Sequence, residues 1–245
     1  MGKEKRKFWN IPPEEEQKGL LLWLQLLQKH YLNLFCANAI AVASLLPGAY
    51  FVYLLVQTKD LTFWALGLAL FVLAAPCQTG LHSVCVRLVH RMPVWVKEDF
   101  ARAWKAEWKK SMALGLLLGL LWSALAYAVY MVVSVDGGLS IGLALLFGLA
   151  AYFLTGLGLF GFQQVAMLEI SLGEALKNAL LLIFAGKLRS FFAIVVWTAM
   201  MLVPAIYYGL AVYILLLGWV AIGVMTVNVI FAPVFSRLFL DGTEQ

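Results

Sequence analysis

The chain has 245 residues, of which 63% are hydrophobic and 13% are charged, and its formal net charge is +5. A typical soluble domain is about half apolar, so this composition excludes an ordinary soluble domain and favours a protein embedded in a lipid bilayer. The basic residues flank the apolar stretches. They are therefore predicted to anchor the chain at a membrane surface and not to bind nucleic acid.

The first 31 residues are predicted to lie on the cytoplasmic side of a membrane. Residues 1–11 are basic and are predicted to be disordered. Pro12 and Pro13, followed by three glutamates, are typical of a helix start, because proline fits the first turn and carboxylates suit the positive end of the helix dipole. Leucines interspersed with polar side chains then predict an interfacial amphipathic helix over residues 12–31.

The transmembrane domain is predicted to occupy residues 32–240. Four uncharged apolar runs precede a fifth run of 47 uncharged residues between Arg189 and Arg237. As one helix the fifth run would be about 70 Å long, whereas the hydrocarbon layer is about 30 Å thick. It is therefore predicted to cross twice, with a bend near residues 207–209. The six predicted spans are residues 33–56, 62–89, 112–135, 139–168, 190–208 and 210–236.

The basic residues predict the orientation of these spans. With a cytoplasmic N-terminus, 17 of the 18 Lys and Arg residues fall in cytoplasmic segments and Lys59 falls outside. This asymmetry obeys the positive-inside rule. The predicted fold is therefore an all-α membrane protein with six transmembrane helices, with both termini in the cytoplasm.

Cytoplasmic amphipathic helices are predicted between the spans. Over residues 94–110, Phe100, Trp104 and Trp108 recur every four residues, with Lys and Arg elsewhere. This pattern favours a helix that rests on anionic lipid, and it also suits a docking surface for a protein partner; the two interpretations are compatible. A further helix of this kind is predicted over residues 169–187.

Small residues predict where the spans pack closely. Membrane helices attract each other through surfaces of small side chains. Gly115 and Gly119 form one such pair in the third span, and Gly138 and Gly142 form another at the start of the fourth span.

The spans contain a small set of polar residues that are candidates for a site. No Asp, Glu, Lys or Arg lies in the middle of a span, which argues against a proton-coupled pump. One hypothesis is a binding or conduction site for a small neutral solute. The other is a set of hydrogen bonds between helices that fix their packing. The candidate residues are Asn38, Gln78, His82, Gln163, Gln164 and Asn228.

No metal, cofactor or catalytic site is predicted. Cys77, His82 and Cys85 lie near one another in the sequence, but Cys77 falls on a different helix face and a zinc site usually needs three or four convergent ligands. The chain also has no recognisable catalytic or phosphate-binding motif. We therefore predict that the protein is not an enzyme.

One stretch of the sequence resembles a known family. It begins with Ala-Pro-Cys-Gln-Thr-Gly-Leu at residues 75–81, continues with Val-Arg-Leu-Val at 86–89 and ends with Trp-Lys-Lys-Ser at 108–111. These residues resemble the YesL-like family of bacterial integral membrane proteins of unknown function. Pro76 and Leu81 match the family's pattern at the start of a helix, and residues 173–190 are similar to a later family stretch.

The chain departs from that pattern at Cys77, Gln78 and Gly80, where the family has small, alanine-rich residues. The resemblance implies a six-helix, multi-pass protein of the bacterial cytoplasmic (inner) membrane without known enzymatic activity, in a family often associated with carbohydrate uptake. It implies no functional residues.

Two hypotheses about function follow. The first is a non-catalytic accessory or regulatory component of a membrane complex, linked to carbohydrate uptake, which meets a membrane-protein partner. The second is a channel or facilitator for a small neutral solute. In both, the lipid bilayer is the surrounding medium.

Overall fold

The computed structural model describes residues 19–136, 138–207 and 210–240, and this part of the chain folds into helices and their connections. The predicted disordered segment 1–11 and the first residues of the predicted interfacial helix, 12–18, lie outside the described residues. The elements are α1 (Leu20–Thr58), α2 (Leu61–Val89), α3 (Val96–Ala106), α4 (Trp108–Asp136), α5 (Ile141–Met167), α6 (Leu172–Ala185), α7 (Leu188–Ile206), α8 (Ala211–Ile214), a π-helical turn (Leu215–Trp219), α9 (Val220–Phe235) and a second π-helical turn (Ser236–Leu240).

Within the described residues, the helices include five or six segments that are long and apolar enough to cross a membrane. Five such segments are α1, α2, α4, α5 and the composite segment Ala211–Leu238. A sixth crossing is obtained when α6 and α7, which are bent by 104° relative to each other, are counted as one broken span. The prediction of an all-α, multi-pass membrane protein is therefore confirmed, and its orientation stays a prediction.

The beginning of α1 packs against the bundle. The helix is kinked at His30, where φ is −122°. Before the kink, Leu22 and Leu26 are buried in a core that also contains residues of α2 and α9. The indole Nε1 of Trp23 donates a hydrogen bond to Thr226 Oγ1 at 2.9 Å. This segment thus buries one face on protein, in addition to any contact with lipid head groups.

Residues 94–110 form two helices and not the single predicted one. Glu107, with φ −115°, separates α3 from α4. A straight helix would place Ser111 about 16 Å beyond Phe100 along its axis. Yet Ser111 is hydrogen-bonded to Thr79 at 2.7 Å, while Phe100 packs on the neighbouring Gly80. The break lets both segments contact the same level of α2, so Trp108 begins α4 and does not extend the stripe of α3.

Two basic residues that follow helix ends have a positive φ: Lys59 after α1, with φ 60°, and Arg91 after α2, with φ 55°. Lys187 also has a positive φ, of 47°, but it caps the beginning of α7. For a residue other than glycine the left-handed conformation costs about 1–2 kcal/mol. A cation at the C-terminal end of a helix recovers about 0.3–1 kcal/mol through the helix dipole, which offsets part of that cost.

Glycines bring α2 and α4 into close contact. A Cβ atom built on Gly115 would lie 2.7 Å from the Cβ of Ala75, and one on Gly119 would lie 2.5 Å from Leu68 Cδ1. The predicted role of this glycine pair is therefore confirmed. The prediction is wrong for Gly138 and Gly142, because nothing lies within 4 Å of a Cβ at either position.

We expect the substitution Gly115→Val to destabilise the fold by about 2 kcal/mol, because the added methyl groups must push α2 away from α4. The free energy of unfolding is measured by denaturant titration in mixed micelles. Gly142→Val is the matched control, since it adds the same side chain where there is open space. Equal unfolding free energies for the two variants would contradict the expectation.

Candidate functional site

Asn38 is bonded to a break in the last apolar segment. Its Nδ2 donates to the carbonyl oxygens of Leu215 and Leu216 at 2.6 and 3.2 Å, and its Oδ1 accepts a hydrogen bond from the backbone N–H of Ala221 at 3.0 Å. Gly218 lies inside this break with φ 108°, a conformation that favours glycine. The amide of Asn38 thus bonds to backbone groups on both sides of the interruption.

Gln78 and His82 lie one turn apart on α2 but contact different helices. Gln78 Nε2 donates to the carbonyl oxygen of Ala41 in α1 at 3.1 Å. The ring of His82 instead stacks on Phe162 of α5, with 6.0 Å between the ring centroids. Sharing a face of α2 therefore does not bring these two side chains to a common partner.

Gln163 and Asn228 form a buried pair between α5 and α9. Gln163 Nε2 donates to Asn228 Oδ1 at 3.0 Å. Asn228 Nδ2 donates to the carbonyl oxygen of Val224, one turn earlier in its own helix, at 2.7 Å. The pair joins two apolar helices through one side-chain hydrogen bond and is typical of packing between membrane helices.

His82 and Gln164 are the members of the polar set whose buried atoms lack a partner among the described residues. Gln164 is fully buried, and neither Nε2 nor Oε1 of its side chain is hydrogen-bonded; the Nδ1 atom of His82 is also unbonded. Buried polar atoms are nearly always paired with protein or ordered water. A water molecule or a polar solute inside the bundle would therefore form its most favourable hydrogen bonds with these two side chains.

The structure does not join the six candidate residues into one hydrogen-bonded site. Within the described ranges, hydrogen bonds connect only Gln163 with Asn228 directly. Asn38 and Gln78 are bonded to backbone carbonyls of other helices. This distribution favours the interpretation that most of these polar residues fix helix packing.

A buried ion pair connects α2 with α3, and the sequence analysis missed it. Arg87 Nη1 donates to Asp99 Oδ1 at 2.8 Å; the side chain of Asp99 is 1% exposed and that of Arg87 is 12% exposed. Asp99 Oδ2 also accepts a hydrogen bond from the backbone N–H of Trp95 at 3.3 Å. The available signal was the position of Asp99 beside Phe100 and four residues before Ala103, on the apolar face of α3.

Two aromatic side chains extend this contact between α3 and α2. Phe100 is buried and packs on Gly80 so closely that a Cβ at Gly80 would lie 2.9 Å from its ring. Trp104 Nε1 donates to Cys77 Sγ at 3.3 Å. The inward face of α3 is thus held to α2 at three levels.

The opposite face of α3 is open. We define the α3 surface as Trp95, Lys97, Glu98, Arg102 and Lys105, which are all exposed. It combines three cations and one carboxylate with the indole of Trp95, which is 66% exposed. Aromatic rings beside Lys and Arg suit both a membrane–water boundary and a protein interface.

The connection between α2 and α3 carries a half-buried histidine, His90. Burial lowers the pKa of His90 to about 4, so its ring is neutral at pH 7. The ring lies against Phe235 of α9, with 5.5 Å between centroids. The described residues contain no cluster of three His, Cys, Asp or Glu side chains that could hold a metal ion.

The ion pair and the glycine contacts fall in the part of the chain that is similar to a known family. Residues 49–129 match the family model DUF624, described as a protein of unknown function. The match covers about a third of the chain, from the second half of α1 through most of α4. No curated protein and no solved structure matches the chain.

The DUF624 match includes Arg87, Asp99, Gly80 and Phe100, so the junction of α2 and α3 belongs to the similar region. Asn38, Gln163, Gln164 and Asn228 lie outside it. Together with the helix lengths, the comparison describes a polytopic membrane protein that is similar, over residues 49–129, to a family of unknown function.

Proposed function

We propose that the protein is a non-catalytic accessory or regulatory component of a membrane complex in the bacterial cytoplasmic membrane, and that its partner contacts the α3 surface. The observation that carries this proposal is the two-sided construction of α3. Its inward face is attached to α2 through Asp99, Phe100 and Trp104, while its outward face presents three cations and the indole of Trp95. A force on the α3 surface would therefore act directly on α2.

The interior of the bundle supports an accessory role more than a transport role. Asn38, Gln78 and the Gln163–Asn228 pair use their polar atoms in hydrogen bonds between helices. Such bonds stabilise one arrangement of the helices. The YesL-like family, which the sequence resembles, is often associated with carbohydrate uptake. A complex for carbohydrate uptake is therefore the candidate assembly.

A channel or facilitator for a small neutral solute is the second candidate function. It is favoured by the unbonded atoms of His82 and Gln164, which lie in the bundle interior and offer both hydrogen-bond donors and acceptors. A pathway past them would expose these atoms to water or to a solute hydroxyl group.

One reconstitution experiment separates the two functions. We expect the purified full chain in liposomes to give no flux of glycerol above that of empty liposomes. Flux that is abolished by the double substitution His82→Leu and Gln164→Leu would establish the second function and overturn the first.

Purification from native membranes tests the accessory role directly. We expect a stoichiometric partner in mild detergent, and we expect its loss when Lys97, Arg102 and Lys105 are all replaced by glutamate, because the α3 surface then carries the opposite charge. Lys59→Glu is the control, since it changes a cation at the opposite end of α2. A chain that purifies alone under all conditions would contradict the proposal.

A further inference from the structure

A cleft of about 220 Å³ lies where the beginning of α1 meets the end of α2. Leu22, Leu26, Leu88 and Met92 form its apolar wall and are all buried. Lys29 and Arg91 also line it, and none of the described residues that line it is a carboxylate. The cleft therefore combines an apolar side with two cations and suits a ligand that is anionic at one end and apolar at the other.

The backbone at Arg91 points to a role for its side chain. Met92 N–H donates to the carbonyl oxygen of Arg87 at 2.8 Å, and Arg91 N–H donates to that of Leu88 at 3.0 Å. These two backbone hydrogen bonds are typical of a helix that ends with one residue in the left-handed conformation. Glycine usually occupies that position. Here that position holds an arginine with φ 55°, and its side chain lines the cleft.

Phosphate is the anionic group that best fits these cations. An arginine guanidinium can donate two parallel hydrogen bonds to phosphate oxygens, and a lysine ammonium adds a compact charge. Arg91 has another interaction as well, and a phosphate would bind in addition to it. Clusters of basic residues at the cytoplasmic membrane surface attract anionic lipids, and the predicted orientation places this cleft at that surface.

We propose that the cleft binds the phosphate head group of an anionic phospholipid through Lys29 and Arg91, with an acyl chain against Leu22, Leu26 and Met92. None of the described residues that line the cleft belongs to the α3 surface or to the polar set inside the bundle. Its occupant is distinct from the bulk lipid around the spans, because the cleft lies between the beginning of α1 and the end of α2.

Lipid retention by the full chain tests this proposal. The protein is placed in nanodiscs of equal parts phosphatidylglycerol and phosphatidylcholine, and the lipids that remain bound are identified by native mass spectrometry. We expect the wild-type protein to retain phosphatidylglycerol preferentially. Arg91→Gly should lower this preference about fivefold, the usual effect of one surface cation on anionic-lipid binding, while Arg91→Lys should retain most of it.

The Arg91→Gly variant separates binding from folding. Glycine suits the left-handed backbone at this position, so its thermal unfolding midpoint should equal or exceed that of the wild type. Lys59→Gly is the control: it also replaces a cation of positive φ by glycine, but it does so at the other end of α2. It should leave lipid retention unchanged. Lys105→Gln removes an exposed cation from α3 and should also leave it unchanged.

Several outcomes would overturn the proposal. They are a wild-type protein without preference for phosphatidylglycerol, an Arg91→Gly variant that keeps the preference, or an equal loss in Lys105→Gln. Free glycerol phosphate is added as a competitor: displacement of the lipid at equal concentration would identify a soluble phosphate as the occupant. A preference that emerges only when the three glutamates at residues 14–16 are replaced by glutamine would assign the cleft to that acidic segment instead.

Discussion

Replacing Asp99 by alanine is expected to destabilise the protein by about 3–5 kcal/mol, the usual cost of removing one partner from a buried ion pair. The reason is that Arg87, whose side chain is 12% exposed, would keep its charge without the carboxylate that lies 2.8 Å away. Arg102 Nη1 is 3.7 Å from the same carboxylate but is 47% exposed, so water can solvate it after the substitution.

The free energy of unfolding in micelles measures this effect, and two variants make the result specific. Glu98→Ala removes the adjacent, exposed carboxylate and should change stability by less than about 0.5 kcal/mol. The double substitution Arg87→Leu and Asp99→Leu should recover most of the loss, because it leaves no buried charge unpaired. A double variant as unstable as Asp99→Ala would show that the loss has a cause other than the unpaired arginine.

The ion pair also shows what the sequence could not predict. Long uncharged runs predicted the spans because a charge in the hydrocarbon layer is costly, and that cost depends only on local composition. The position of Asp99 depends on how α3 is rotated against α2. The amphipathic pattern of α3 is compatible with an Asp99 that is solvated and with one that is paired. Its partner, Arg87, is on α2, so the sequence of α3 alone could not predict the pair.

The sequence predicted which polar residues lie inside the bundle, but it did not predict which helix each of them contacts. Asn38, His82, Gln163, Gln164 and Asn228 were recognised as polar residues in apolar spans, and all five are buried. Which helix each one contacts depends on packing: Gln78 and His82 share a face of α2 yet contact α1 and α5. The break at Gly218 had no signal of its own, because one glycine in an apolar run is also compatible with a continuous helix.

That break leads to the second large expected effect. We expect Asn38→Leu to destabilise the protein by about 3 kcal/mol. The substitution removes three hydrogen bonds and leaves the carbonyl oxygens of Leu215 and Leu216 and the N–H of Ala221 without the Asn38 side chain. Each buried group left unpaired costs about 1–3 kcal/mol in water-soluble proteins, and membrane proteins give smaller values of about 0.6 kcal/mol per bond, so the estimate lies between the two.

Gln78→Leu is the matched control for this prediction, because it removes one amide and a single hydrogen bond to a carbonyl oxygen in the same bundle. Its expected cost is about 1 kcal/mol. Hydrogen–deuterium exchange adds a local measurement: in Asn38→Leu the amides of residues 215–221 should exchange faster, whereas those of α2 should not. If exchange rises equally in both regions, the substitution loosens the whole bundle, and Asn38 has no particular role in holding the broken segment against α1.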